Sequence, residues 1–346
     1  MNKIGIVTLP LHFNYGGILQ AYALQQAIKK IGYDTILIGH SQNTVKEVIK
    51  STLYRLSGVY KFINANILVV RLAVPFSDEA IKKNNIQALV VGSDQVWRPC
   101  MGTDRKENVA RYFLETEKGN IMKIAYAASF GVDYWDFTEE ETEKAKDLVR
   151  DFDAVSVREF SGIDMCKKHL NVKNVVQVLD PTMLLSPDDY RGFTKVSPFM
   201  TDKEHCFVYL LDYMREDNKD IIKELVHGDV EMQIAKVERN AIKKFLNTHD
   251  SVEKWLSSIY YSNVVITDSF HGCVFSILFH KDFYVMGNAI GGNARIVSLL
   301  NMFGLQDRFV GNSKLQSTSK IDWDEVDKVL TSLRNKSITF LKENLA

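Results

Sequence analysis

Four short segments place groups able to bind anions or hydroxyls directly after apolar runs. The most pointed is Asp268-Ser269-Phe270-His271-Gly272, which follows the run Val264 to Thr267 and precedes Cys273 to Phe279. An imidazole at a strand-to-helix junction can exchange a proton near neutral pH, and a helix start favours a bound anion. A purely structural histidine is the competing reading. A hydrolase triad of Asp268, Ser269 and His271 is disfavoured, because neighbours in one turn cannot easily converge in nucleophile, base and orienter geometry. Further on, Gly291-Gly292-Asn293-Ala294-Arg295 opens another helical pattern and brings Arg295 to an adjacent loop.

Three other segments share this placement. In His12-Phe13-Asn14-Tyr15-Gly16-Gly17 the paired glycines let backbone approach a ligand, and the following helix start offers N–H groups to a phosphate or carboxylate. A structural tight turn is the alternative. Gly92-Ser93-Asp94-Gln95-Val96-Trp97 combines a ring with a carboxylate and an amide, which suits a sugar; a capped turn with a core tryptophan explains it equally well. Ser156-Val157-Arg158-Glu159 ends an apolar strand with an arginine, either an anion ligand or half of an internal salt bridge.

These segments must be held by a scaffold of alternating strands and helices. Ile4 to Leu9 reads as a buried parallel strand. Ile18, Leu19, Tyr22, Leu24, Ile28 and Ile31 then recur at helical spacing up to Gly32, and Thr35 to Ile38 is the next strand. Ala88 to Val91, Ile124 to Ala128, Ala154 to Val157 and Val175 to Leu179 continue the strands, with a capping-box helix starting at Thr138 and Glu141. Cys206 to Leu211, Val230 to Ala235, Val264 to Thr267 and Phe283 to Met286 repeat the style, and a long amphipathic helix starts at Asp324. The alternation predicts an α/β protein of two doubly wound, Rossmann-like lobes facing a cleft, where ligands bind beyond the carboxyl ends of strands. The expected boundary lies near Asp180-Pro181, giving lobes 1–180 and 181–346.

The chain has 346 residues, 46% hydrophobic and 25% charged, which excludes a disordered or low-complexity protein. Its 43 basic residues balance 43 acidic ones, so no global field recruits nucleic acid. Cys100, Cys166, Cys206 and Cys273 are widely spaced, which argues against a zinc site or disulfide framework and fits a reducing cytoplasm. No apolar run reaches the length of a membrane span. Lys3, Ile4 to Leu11 and Ala21-Tyr22-Ala23 imitate a signal peptide, but His12, Asn14 and Gln20 interrupt the apolar stretch. Residues 41–77 carry Lys46, Lys50, Arg55, Lys61 and Arg71 against Glu47 alone. They read as a helical excursion with a solvated basic face, or as a surface resting on the inner face of a membrane or on a polyprenyl phosphate. P-loop, G-x-S-x-G, H-E-x-x-H and G-x-G-x-x-G motifs are absent.

Taken in order, N-Y-G-G-I-L-Q-A-Y-A-L-Q at 14–25, V-V-G-S-D-Q-V-W at 90–97, S-V-R-E at 156–159, L-D-P-T at 179–182, T-D-S-F-H-G at 267–272 and R-I-x-S-L-L at 295–300 resemble the polysaccharide pyruvyl transferase family. The resemblance implies a fold related to glycosyltransferase B. It also implies transfer of pyruvate from phosphoenolpyruvate, as co-substrate, to a saccharide acceptor as a ketal, with lipid linkage of that acceptor left open. It implies His271 as the catalytic residue, with Arg158 and Arg295 on the donor's phosphate and carboxylate; Ser269 and Gly272, at the helix start, would assist them on the donor. Asn14, Tyr15, Gly16, Ser93 and Asp94 would hold the acceptor, and neither cofactor nor metal is called for. Gly17 departs from the acidic residue common among relatives. A nucleotide-sugar glycosyltransferase and a non-catalytic sugar- or lipid-carrier-binding protein are the alternatives.

Overall fold

The computed structural model describes residues 3–12, 14–40, 57–101, 104–118, 121–201, 203–211, 216–226, 228–235, 250–287, 293–311 and 319–346. Lys46, Lys50, Arg55, Gly291 and Gly292 lie outside the described residues. The chain forms two compact units, one of Met1–Val48, Ile63–Leu185 and Thr331–Ala346, the other of Ile49–Phe62 and Ser186–Leu330. The main break therefore follows Leu185 rather than Asp180, and the end of the chain returns to the first unit.

The strands of the first unit are β1 (Lys3–Val7), β2 (Asp34–His40), β3 (Val69–Leu72), β4 (Ile86–Val91), β5 (Met122–Ala128), β6 (Ala154–Val157) and β7 (Val175–Gln177). They form one sheet in the order β3-β2-β1-β4-β5-β6-β7, and every pairing is parallel. The helices between them are α1 (Tyr15–Lys30), α2 (Gly58–Asn66), α3 (Asp78–Lys83), α4 (Arg105–Tyr112), α5 (Glu139–Val149) and α6 (Phe160–His169). Asn14 caps α1 by accepting from the Gly17 amide, and Gly32, at φ +106°, ends it just past the last turn. The Thr138–Glu141 capping box is present at α5. The described part of 41–77 is not helical throughout. Val69 and Val70 are β-branched and pair with Leu37 and Ile38 at the sheet edge, so β3 replaces helix there.

The second unit contains α7 (Pro187–Arg191), β8 (Glu204–Tyr209), α8 (Glu216–Leu225), β9 (Val230–Ile234), α9 (Val252–Tyr261), β10 (Val264–Thr267), α10 (Phe270–Leu278), β11 (Asp282–Met286), α11 (Asn293–Phe303) and β12 (Phe309–Gly311). Its sheet runs β12-β11-β10-β8-β9, again parallel. Trp255 packs edge-on to Tyr209 and Phe275, which ties α9 to β8 and α10. The last helix, α12 (Trp323–Leu345), begins in the second unit and ends in the first. Within the first unit Arg334 donates to the carbonyls of Met183 and Leu185, and the Leu179 amide donates to Ser337 Oγ. In both sheets successive crossovers reverse direction, between β1 and β4 and between β8 and β10. The loops after those strands are where a doubly wound sheet opens for a ligand.

Candidate functional site

In the second unit the loop after β10 is fixed from several directions. Thr267 Oγ1 donates to the Tyr209 carbonyl at 2.7 Å and accepts from the Ser269 amide at 3.0 Å. Asp268 Oδ1 accepts from the Leu211 amide at 2.6 Å, so this carboxylate bridges the two strands at which the sheet reverses. Ser269 caps α10 through the Gly272 amide at 3.3 Å. A Cβ on Gly272 would come within 2.9 Å of Thr267 Cγ2, so only glycine lets the helix pack this close to β10. His271 is thereby held in the first turn of α10, 6% exposed, with its ring edge-on to Phe270 at 5.2 Å. It sits where the helix N-terminus favours negative charge. Arg295, half-buried, lies in the first turn of α11, which follows the neighbouring strand β11 and packs against α10. The topology thus brings Ser269, His271, Gly272 and Arg295 to one carboxyl edge of one sheet.

The first unit holds the other expected residues around its own reversal point. Asn14 is exposed, whereas Tyr15 and Gly16 are buried at the start of α1. Gln20 Nε2 donates to Thr8 Oγ1 and to the Gly17 carbonyl, both at 2.9 Å, while its Oε1 accepts from the Ser93 amide at 2.9 Å. Thr8 Oγ1 donates in turn to the Ser93 carbonyl. Ser93 is fully buried, and its hydroxyl donates to the Ala127 carbonyl at 2.7 Å with Asp180 Oδ2 at 3.2 Å. That hydroxyl is engaged internally rather than presented to a sugar. Trp97 is the core tryptophan of the two readings, stacked on Phe113 and donating through its indole to the Tyr112 carbonyl.

Arg158 is also internal. Its side chain is 2% exposed, with Nη1 3.0 Å from Asp180, Nη2 3.5 Å from Asp94 and Nε 3.9 Å from Glu159. Burial alone would lower its pKa, but Asp180, Asp94 and Glu159 together outweigh burial and raise it. The donor-ligand role implied for Arg158 thus meets a guanidinium enclosed by carboxylates, and the salt-bridge reading describes it. Asp180 Oδ1 accepts from the amide and hydroxyl of Thr182, and Glu159 Oε1 from the Phe130 amide and Ser129 hydroxyl. One cation therefore ties together the loops after β4, β5, β6 and β7. Sequence spacing could not show this convergence, because the carboxylates come from three separate segments.

Among the described residues no helix is long and apolar enough to cross a membrane, and no group of three or more His, Cys, Asp or Glu could hold a metal ion. A family model described as polysaccharide pyruvyl transferase matches residues 14–289. No curated protein matches the chain. Among solved structures, UDP-GlcNAc 2-epimerase from Neisseria meningitidis bound to UDP-GlcNAc is similar at TM-score 0.53 and 9% identity, covering 100% of this chain and 99% of that one. The UDP-GlcNAc 2-epimerase from Methanocaldococcus jannaschii gives TM-score 0.51 and 13% identity, with 97% and 93% covered. MurG from Acinetobacter baumannii is at TM-score 0.45 and 9% identity, with 98% and 95% covered. The mixed α/β architecture with parallel sheets agrees with the two epimerases.

Proposed function

The chain belongs to the polysaccharide pyruvyl transferase family, and from that premise we propose that it moves pyruvate from phosphoenolpyruvate onto two hydroxyls of a saccharide as a cyclic ketal. The observation that carries this reading is the place of His271, in the first helical turn at the reversal point of the second sheet, with Arg295 on the next loop of the same edge. Phosphoenolpyruvate brings a phosphate and a carboxylate; Arg295 and the amides at the start of α10 provide the positive potential for them.

His271, as imidazolium, gives a proton to the methylene carbon of the donor, and C2 becomes an oxocarbenium-like electrophile. A sugar hydroxyl bonds to C2 and its proton returns to the imidazole. The second hydroxyl then bonds to C2 as the C2–O bond to phosphate breaks, and its proton leaves with the phosphate. Asn14 and the backbone at Tyr15 and Gly16 serve acceptor recognition in the first unit; Arg158, Asp94 and Ser93 hold that edge from within.

The test is incubation with phosphoenolpyruvate and a panel of hexosides, reading phosphate release and, by mass spectrometry, gain of a pyruvate ketal. His271→Ala should lower turnover by roughly 10² to 10⁴ with the fold intact. Activity within a few-fold of the parent removes His271 from the mechanism. Thermal stabilisation by a uridine or guanosine diphosphate sugar, with none by phosphoenolpyruvate, would instead select a nucleotide-sugar transferase.

A further inference from the structure

The loops after β1, β4, β5, β6 and β7 carry two arginines, Arg98 and Arg158, and no lysine. Arg158 is enclosed, and the carboxylates of this edge, Asp94, Glu159 and Asp180, turn inward to it. Arg98, on the β4 loop, is only half-buried, and among the described residues no carboxylate pairs with it. Its side chain makes one hydrogen bond, from Nη1 to Gln95 Oε1 at 3.2 Å. Nε has no hydrogen-bond partner, while Nη2 makes no bond within the chain and is not among the enclosed polar atoms. Nε–H and one N–H of Nη2 point the same way along one edge of the guanidinium plane, the donor pair that matches the two oxygens of a carboxylate. That edge is unsatisfied by the chain and reaches solvent at Nη2.

The backbone under this arginine is fixed. Trp97, the residue before it, is buried between Phe113 and Phe130, and its amide donates to the Ser129 carbonyl at 3.1 Å. The Arg98 amide donates to the Gln95 carbonyl at 3.2 Å, and the Arg98 carbonyl accepts from the Met101 amide at 3.1 Å. Gln95, which holds Nη1, lies across Gly131, where a Cβ would come within 2.8 Å of Gln95 Cδ. The β4 loop also meets the β1 loop, because a Cβ on Gly17 would lie 3.0 Å from Asn14 Nδ2 and 3.5 Å from Asp94 Oδ2. Asn14 and Arg98 thus stand on the two loops that flank the reversal of the first sheet, where such a sheet receives its ligand.

We propose that Arg98 binds a carboxylate of the acceptor, which makes that acceptor an acidic saccharide containing a uronate residue; the assignment to the acceptor rests on the reaction proposed above. A guanidinium without a second cation in these loops balances the single charge of a uronate, whereas a phosphate monoester carries about two. Arg98 acts here as a specificity residue, selecting an acidic saccharide over a neutral one of the same shape.

The experiment compares, by saturation-transfer NMR on the full chain, the binding of methyl glucuronide, its neutral methyl ester and methyl glucoside. The glucuronide should bind roughly tenfold or more tightly than the other two, since the ester keeps the shape and loses the charge. The preference should persist in His271→Ala, which separates this site from the donor site, and vanish in Arg98→Met. Arg98→Lys, which keeps the charge without the paired edge, should retain only part of it. Equal or absent signals from the glucuronide and its ester overturn the subsite in the parent alone, whether or not the variants fold, as does a preference that survives Arg98→Met. Displacement of the glucuronide by an equal concentration of glucose 1-phosphate overturns the assignment to a carboxylate, and displacement by phosphoenolpyruvate overturns the assignment to the acceptor. Because the readout needs no turnover, a protein that makes no ketal but shows the preference refutes the reaction alone.

Discussion

Arg158→Met would test the electrostatic anchor of the first unit. The substitution removes a cation 3.0 Å from Asp180, 3.5 Å from Asp94 and 3.9 Å from Glu159 while filling much of its volume. Breaking a buried ion pair from one side costs about 3–5 kcal/mol, since the remaining charge keeps its desolvation penalty. Asp180 and Glu159 retain neutral donors from Thr182, Ser129 and Phe130, which places the loss toward the lower end of that range. At roughly 2–4 °C per kcal/mol for a domain of this size, the midpoint should drop by about 6–16 °C at pH 7. Protonating a stranded carboxylate removes the buried charge. The folded variant then holds more protons than its unfolded chain, so its stability falls as pH rises and its deficit against the parent narrows from pH 7 to 5. Urea and thermal unfolding of both proteins at the two pH values measure this. A deficit below about 1 kcal/mol at pH 7, or one that widens in acid, refutes the anchor.

Gly272→Ala forces Thr267 to rotate and give up its bonds to Tyr209 and Ser269, so overpacking of about 1–3 kcal/mol should exceed the gain of about 1 kcal/mol from removing a helical glycine. An unchanged or higher melting temperature would contradict it. Trp97→Ala empties a site between Phe113 and Phe130 and should cost about 3–5 kcal/mol by urea titration, whereas a sugar-stacking surface ring would cost far less. His40→Gln should flatten the dependence of stability on pH between about 4 and 6.5. With its pKa lowered, His40 binds fewer protons folded than unfolded in that window, so the parent loses stability as pH falls through it. A variant curve parallel to the parent's rules that out.

The strands that run through the middle of each sheet were legible because burial on both faces demands an uninterrupted apolar run. Ala154 to Val157 and Val264 to Thr267 appear with their expected ends. The cap was equally legible at Thr138, where a side-chain oxygen meets a helix amide; those at Asn14 and Ser251 came from the structure. Two of the four edge strands were not: β3 and β12, of four and three residues, are too short to show a distinguishing run, whereas β7 and β9 lie in longer apolar or alternating stretches. The path of α12 into the first unit was hidden because its contacts with Leu179, Met183 and Leu185 span some 150 residues. At the site, placing His271 after β10 needed only local pattern. The enclosure of Arg158 depended on where Asp94 and Asp180 arrive in three dimensions, which no spacing rule encodes.

The discontinuity of the first unit also bears on biosynthesis. Residues 331–346 leave the ribosome after the whole second unit, yet they supply Arg334, Ser337 and Phe340 to the region around Tyr126 and Leu179. The seven-stranded sheet can therefore collapse early during translation but reaches its final packing only after residues 331–346 have emerged. The five-stranded unit has nearly all its residues emerged before then, so the second unit should mature first even though most of the first unit precedes it in the message.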